Sequence, residues 1–183
     1  MSVRKEFMAG HFEQTEEGIY FPSSRILAQG KFIVSKRGEP EEVVDNLVVT
    51  QGLNYLLAAA FGATSVLSSW YIALFSGNVT VQATWTAANF LANATEFTSY
   101  DEATRGAWTR GSVAAGAVNS FADKASFTCN TNAQTVRGAA LISDSAKGAV
   151  TGTLVAAARF GTDKGLDDGE ILDVGYGFQL TAV

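Results

Sequence analysis

Residues 69–76 read SWYIALFS, aromatic and apolar without a break. The run has the length of a strand rather than a buried helix, and it has no polar face to offer to water. A strand of that kind must be covered on both sides. Gly77-Asn78 ends it. The rest of the chain has to supply two layers for this one strand.

The strongest partner lies at the far end. In residues 171–180, ILDVGYGFQL, Leu172, Val174, Tyr176, Phe178 and Leu180 alternate with Ile171, Asp173, Gly175, Gly177 and Gln179. That period of two leaves one fully apolar face. Residues 26–35 (ILAQGKFIVS) and 41–49 (EEVVDNLVV) read as two strands joined by the turn cluster KRGEP, a hairpin with a charged tip. Four more strands are expected at 108–118, 120–130 (with a break at Asp123-Lys124), 135–143 and 152–160, separated by turn clusters at 144–149 and 162–170.

Between the hairpin and the apolar strand, Thr50 is placed to cap a short helix over 52–61, which Gly62 would stop. Leu53, Leu56, Leu57 and Ala60 share one face and are expected to close an end of the core. Residues 77–105 form a long excursion in which 86–94, TAANFLANA, can make a second short helix. Excursions of this length usually carry function.

The 183 residues suit one domain. The pattern predicts an all-β fold, an antiparallel jelly-roll-like β-sandwich with one short helix. An extended N-terminal arm, 1–25, precedes the sandwich, 26–183, which includes the 26–49 hairpin. Only 17% of residues are charged and the net charge is −5. The scattered Lys and Arg make no patch for phosphate, so no nucleic-acid partner is expected. The opening MSVRKEFMAGHFEQ lacks the apolar heart of a signal peptide, and no run nears the roughly 20 residues of a membrane span. Synthesis in the cytoplasm and no membrane partner are the expectation.

Catalytic residue types are scarce. His11 is the sole histidine, and Cys129, the sole cysteine, sits in the alternating SFTCN and reads as a small buried hydrophobe. The acidic run 163–170, DKGLDDGE, lacks the spacing of an EF-hand loop and reads as a turn, so no metal is expected. Glu96, Asp101 and Glu102 lie near Arg105 and Arg110, which reads first as a solvated loop, then as an interface ion pair such as Asp101–Arg105, and last as acid–base work. Trp85 and Trp108 flank the excursion as anchors for a protein contact, or, with Tyr100, as a platform for sugar rings. No catalytic residue and no cofactor is expected.

The order of motifs resembles one known group. NLVVTQGLNYLLAAAFG, WYIALFSGN, TEFTSYDEATRGAWTRG, KASFTCN, VRGAALISDSAKGAVTGTLVAAARF and DDGEILDVGYGFQL are similar to segments of small virion structural proteins of tailed bacteriophages. The similarity runs over residues 43–183. The group often has Gly-Asp before its last strand, where this chain has Gly169-Glu170.

The resemblance implies a capsid decoration (cement) protein, assembled in many copies on the virion after synthesis in the host cytoplasm. Its partners would be the major capsid protein and itself, as a homo-oligomer such as a trimer. Contacts would come from the arm and the loop at 77–110, through Phe7, Phe12, Tyr20, Trp85, Phe90, Tyr100, Asp101, Arg105, Trp108 and Arg110. A tail, baseplate or fibre-associated component and a host-glycan-binding module are the alternatives.

Overall fold

The computed structural model describes residues 25–182 in full, together with the backbone of two short strands, β1 (Phe12–Gln14) and β2 (Tyr20–Pro22), which pair antiparallel. Two larger antiparallel sheets make a β-sandwich. In the first, β3 (Ile26–Lys36) lies between β4 (Glu42–Asp45) and the long C-terminal β13 (Ile171–Ala182). On the far edge of β13 sit β9 (Ala117–Asn119) and β10 (Ala125–Thr128).

The second sheet runs β5 (Leu47–Val48), β12 (Leu154–Leu166), β11 (Gln134–Ile142), β6 (Tyr71–Phe75), β7 (Glu96–Phe97), with β8 (Gly106–Ala107) also on β6. The expected hairpin is present, but its second half divides. β4 stays with β3 while β5 crosses to β12, and the switch falls on Asn46, whose N–H donates to Gly30 O at 3.1 Å.

β6 has the two covered faces its sequence demanded. Ile72 and Leu74 point between the sheets, where they meet Phe32, Val34, Phe127, Leu172, Val174 and Tyr176. Ala73 and Phe75 point the other way, into a second cluster with Trp85, Ala87, Phe90 and Ala94. That outer layer is the 77–105 excursion, so the molecule has a third layer over one sheet. Within it α2 (Ala87–Ala94) forms where TAANFLANA suggested. Asn89 Oδ1 accepts from the Thr86 N–H at 2.7 Å, which satisfies a donor at the helix start, and Thr95 ends the helix in the left-handed region at φ 55°.

Two sequence expectations change. The strand expected over 108–118 is absent but for the start of the short β9, because Ala115 and Gly116, at φ 49° and 73°, turn the chain back between Ala114 and Ala117. The turn expected from 162 instead begins at Asp167. β12 bulges over residues 160–163 and re-pairs, with Val136 opposite Lys164 and Thr135 opposite Gly165.

Helix α1 (Thr50–Ala60) begins two positions earlier than expected, and its cap moves by one. Val49 is its N-cap, without a side-chain cap, and Thr50 is its first residue. At the other end Gly62 has φ 72° and the Ala63 N–H donates to Ala58 O at 2.8 Å, the closing bond of a Schellman motif.

Candidate assembly surface

α1 carries the exposed apolar residues that most need an explanation. The helix approaches β12 through Gly52, where a Cβ would lie 2.4 Å from Val155 O. Gln51 ties it further, its Oε1 accepting from the N–H groups of Ala87 and Leu154, both at 2.9 Å. Tyr55 also faces inward, edge-on to Trp70 with ring centroids 5.3 Å apart. Its hydroxyl accepts from the Leu67 N–H at 2.8 Å and so pins the following loop to the helix.

With the side that bears Gly52, Tyr55 and half-buried Leu56 turned to the body, Leu53 and Leu57 turn away from it. Leu53 and Leu57 were expected in the core. They are 40% and 60% exposed, and Ala60 is exposed too. Phe61 continues the row at 84% exposure, and Val66 on the pinned loop is exposed at 75%. Leu53, Leu57 and Phe61 are spaced i, i+4, i+8, one apolar ridge along a helix held rigidly from behind.

A second exposed apolar group lies at the tip of the β3–β13 ribbon. The register places Leu180 opposite Ala28 and Ala182 opposite Ile26, so Ile26 and Leu180 extend the face that Tyr176 and Phe32 carry into the core. Ile26 is exposed, as are Leu180 and Val113 of the adjacent turn.

The residues expected to make contacts sort differently. Phe7, and the side chains of Phe12 and Tyr20, lie outside the described residues. Trp85, Phe90, Tyr100 and Arg105 are buried and belong to the interior, which removes them as surface anchors and removes Trp85 and Tyr100 as a sugar platform. Trp108 is half-buried; its ring packs edge-on to Tyr176, centroids 5.7 Å apart, and its Nε1–H donates to Tyr176 O. Asp101 and Arg110 are exposed.

Arg105 does not pair with Asp101. It forms a bidentate pair with Glu96, Nε–Oε1 and Nη2–Oε2 both at 2.8 Å, with both side chains fully buried. Its remaining donors reach Asp144 O and Ala149 O at 3.0 Å, and Glu96 Oε2 also accepts from the Gly148 N–H. A buried pair this completely hydrogen-bonded holds the 144–149 turn against β7, and removing one partner of such a pair costs about 3–5 kcal/mol.

The acidic segment 163–170 is divided among local partners. Asp163 meets Arg137 and Arg159 at 2.9 and 3.0 Å, Asp167 Oδ1 accepts from the Ala133 N–H, and Glu170 meets Lys36 at 2.6 Å. The Arg137 and Arg159 guanidiniums overcome the opposing effect of desolvation and hold Asp163 below the usual carboxylate range. Among the described residues no group of three or more His, Cys, Asp or Glu side chains converges, and no helix is long and apolar enough to cross a membrane.

Sequence reasoning missed the α1 ridge as a surface. The signal was present in Gly52, because the side of a helix that bears a glycine can approach a neighbouring backbone more closely than a leucine side can. No family model, curated protein or solved structure matches this chain.

Proposed function

We propose that this chain is a structural protein of a bacteriophage particle, a decoration protein that strengthens the capsid by binding between shell subunits rather than by catalysis. The supporting observation is the α1 ridge of Leu53, Leu57 and Phe61, solvent-facing on a helix anchored by Gly52, Gln51 and Tyr55. Each such side chain is worth roughly 1.5–3 kcal/mol when fully buried. A rigid cluster of this size suits the centre of a subunit contact, where a few anchors supply most of the binding energy. The motif resemblance over residues 43–183 supplies the virion context.

In this reading the ridge seats on a neighbouring copy of the chain within a homo-oligomer. The arm, with Phe7, Phe12 and Tyr20, reaches the major capsid protein. Binding the assembled shell and not its separated subunits shifts the equilibrium toward the shell by mass action. The low content of charged residues, 17%, fits a chain that works with much of its surface covered.

Two measurements test this. Light scattering after size exclusion should show an oligomer for the wild-type chain and a monomer for the Leu57→Asp/Phe61→Asp double variant, with unchanged circular dichroism. An oligomer that persists in the double variant removes the ridge from the assembly. Quantitative mass spectrometry of purified virions encoding the chain should count copies in the hundreds, on the order of the number of capsid subunits. A few copies per particle would move it to the tail, and none would remove it from the virion.

A further inference from the structure

The outer face of the first sheet holds a cavity of about 500 Å³, within the range of small-ligand sites. Its floor follows from the register. Asp45, Lys31, Gly177 and Asn119 lie side by side across four strands, and Gln29, Gln179 and Ala117 form the next row. Residues directly opposite in antiparallel strands share a face, so these side chains all stand on the surface away from the core.

Gly177 makes room in the middle for the ring of Phe121. A Cβ there would lie 2.5 Å from Phe121 Cζ, so the phenylalanine ring occupies the space that a side chain would fill. The ring forms an apolar wall, with Lys31 Nζ 5.6 Å from its centroid. Asn119 Oδ1 accepts from the Phe121 N–H at 3.1 Å, which fixes the carboxamide and leaves its NH₂ free to turn outward. Gln29 and Gln179 are exposed.

The chemistry of this lining is selective. Gln29 and Gln179 each present a donor and an acceptor in one plane and Asn119 adds a donor, which matches a ligand dense in hydroxyl groups. The one cation, Lys31, stands opposite Asp45, so the site has no excess charge to hold a phosphate or a carboxylate. A wholly apolar ligand would strip water from the carboxamides and return no hydrogen bonds. We propose that this cavity binds a neutral saccharide, with hydroxyl groups on Gln29, Gln179 and Asn119 and a C–H face against Phe121. The site is independent of the α1 ridge, so the protein can be held on a particle and still present this face.

The test is a titration of the uniformly ¹⁵N-labelled full chain with maltose, lactose and N,N′-diacetylchitobiose, followed by NMR. At least one sugar should shift the side-chain amide signals of Gln29, Gln179 and Asn119. The Gln29→Ala/Gln179→Ala variant should weaken that sugar by about tenfold or more with its melting temperature unchanged. Phe121→Ala should weaken it as well. If none of the sugars moves these signals, or if the double variant binds as tightly as wild type, the proposal fails. Shifts produced by a glycine-rich peptide and by none of the sugars would also overturn it.

Discussion

Tyr100 sits at the centre of the molecule with its hydroxyl unanswered. Its ring packs between Phe97 and Phe127, and Lys147 Nζ lies 3.8 Å above it. The Oη atom is buried and has no hydrogen-bond partner among the described residues. Burial, followed by the nearby Glu96 carboxylate, pushes the phenol well above its ordinary pKa. An unpaired buried hydroxyl costs about 1–3 kcal/mol. Tyr100→Phe should therefore stabilise the protein by about 1 kcal/mol, read as a higher urea midpoint with an unchanged slope. A lower midpoint would mean that the hydroxyl has a partner.

At this scale the sequence is a poor guide to which side of the surface a residue occupies. Tyr100 and Arg105 stand among Thr, Ser, Asp and Glu, a composition that reads as loop surface. Their burial is set by partners remote in the chain. The carbonyls that receive Arg105 belong to Asp144 and Ala149, and no local pattern announces them. Cys129, in an alternating run, was legible and is buried, its Sγ donating to Thr131 O.

Among the elements, α1 is where two local preferences oppose each other. Alanine in place of Gly52 would favour the helix by about 1 kcal/mol. The added Cβ would lie 2.4 Å from Val155 O and 2.6 Å from Val155 Cα, both backbone atoms of a strand paired on both sides. Overpacking of that kind costs roughly 1–3 kcal/mol. Gly52→Ala should lower stability by about 1 kcal/mol, measured as a fall in the melting temperature. An unchanged or raised melting temperature would mean that α1 can lift from β12 without cost.

The elements with an unambiguous period were the legible ones. β6 showed two covered faces, β13 showed one apolar face, and β3 with β4 showed a charged turn between alternating runs. The last third of β12 was not legible, because TDKG is turn chemistry in sequence. It holds as strand through Glu42, whose Oε1 accepts from the Gly161 and Thr162 N–H groups while Oε2 meets Lys164 at 2.6 Å. The carboxylate supplies the acceptors that the bulge takes from the ladder. The candidate surface was half legible, since the ridge was seen as apolar and periodic but assigned to the core.

For the molecule as a whole, the Glu42 clamp joins the two sheets, since Glu42 belongs to β4 and the bulge to β12. Burial disfavours its charged form, but Lys164 and the two N–H groups outweigh that, and its pKa is held below the ordinary 4.5. Asp173 behaves alike. Desolvation opposes ionisation, and hydrogen bonds from Arg37 and Ser126 prevail, so it is held below 3.8. With both folded values depressed, the stability they contribute is complete above the unfolded values. It is lost as the pH falls through the folded ones. The melting temperature should therefore fall steeply below about pH 4.5. The Glu42→Gln/Asp173→Asn variant should start lower at neutral pH and fall less over the same range. An equally steep acid limb in that variant would assign the loss to other carboxylates.

The pairing of β3 with β13 runs the full length of both strands, from Lys36 opposite Leu172 to Ile26 opposite Ala182. The first and last residues of the sandwich therefore stand next to each other. A short bridge could join them and the backbone could be reopened at the Gly148 turn, giving a circularly permuted chain that keeps every ladder of both sheets. A peptide or enzyme fused after Ala182 would likewise emerge at the corner where residue 25 enters, remote in sequence from the helix at 50–60 and from the turn at 144–149.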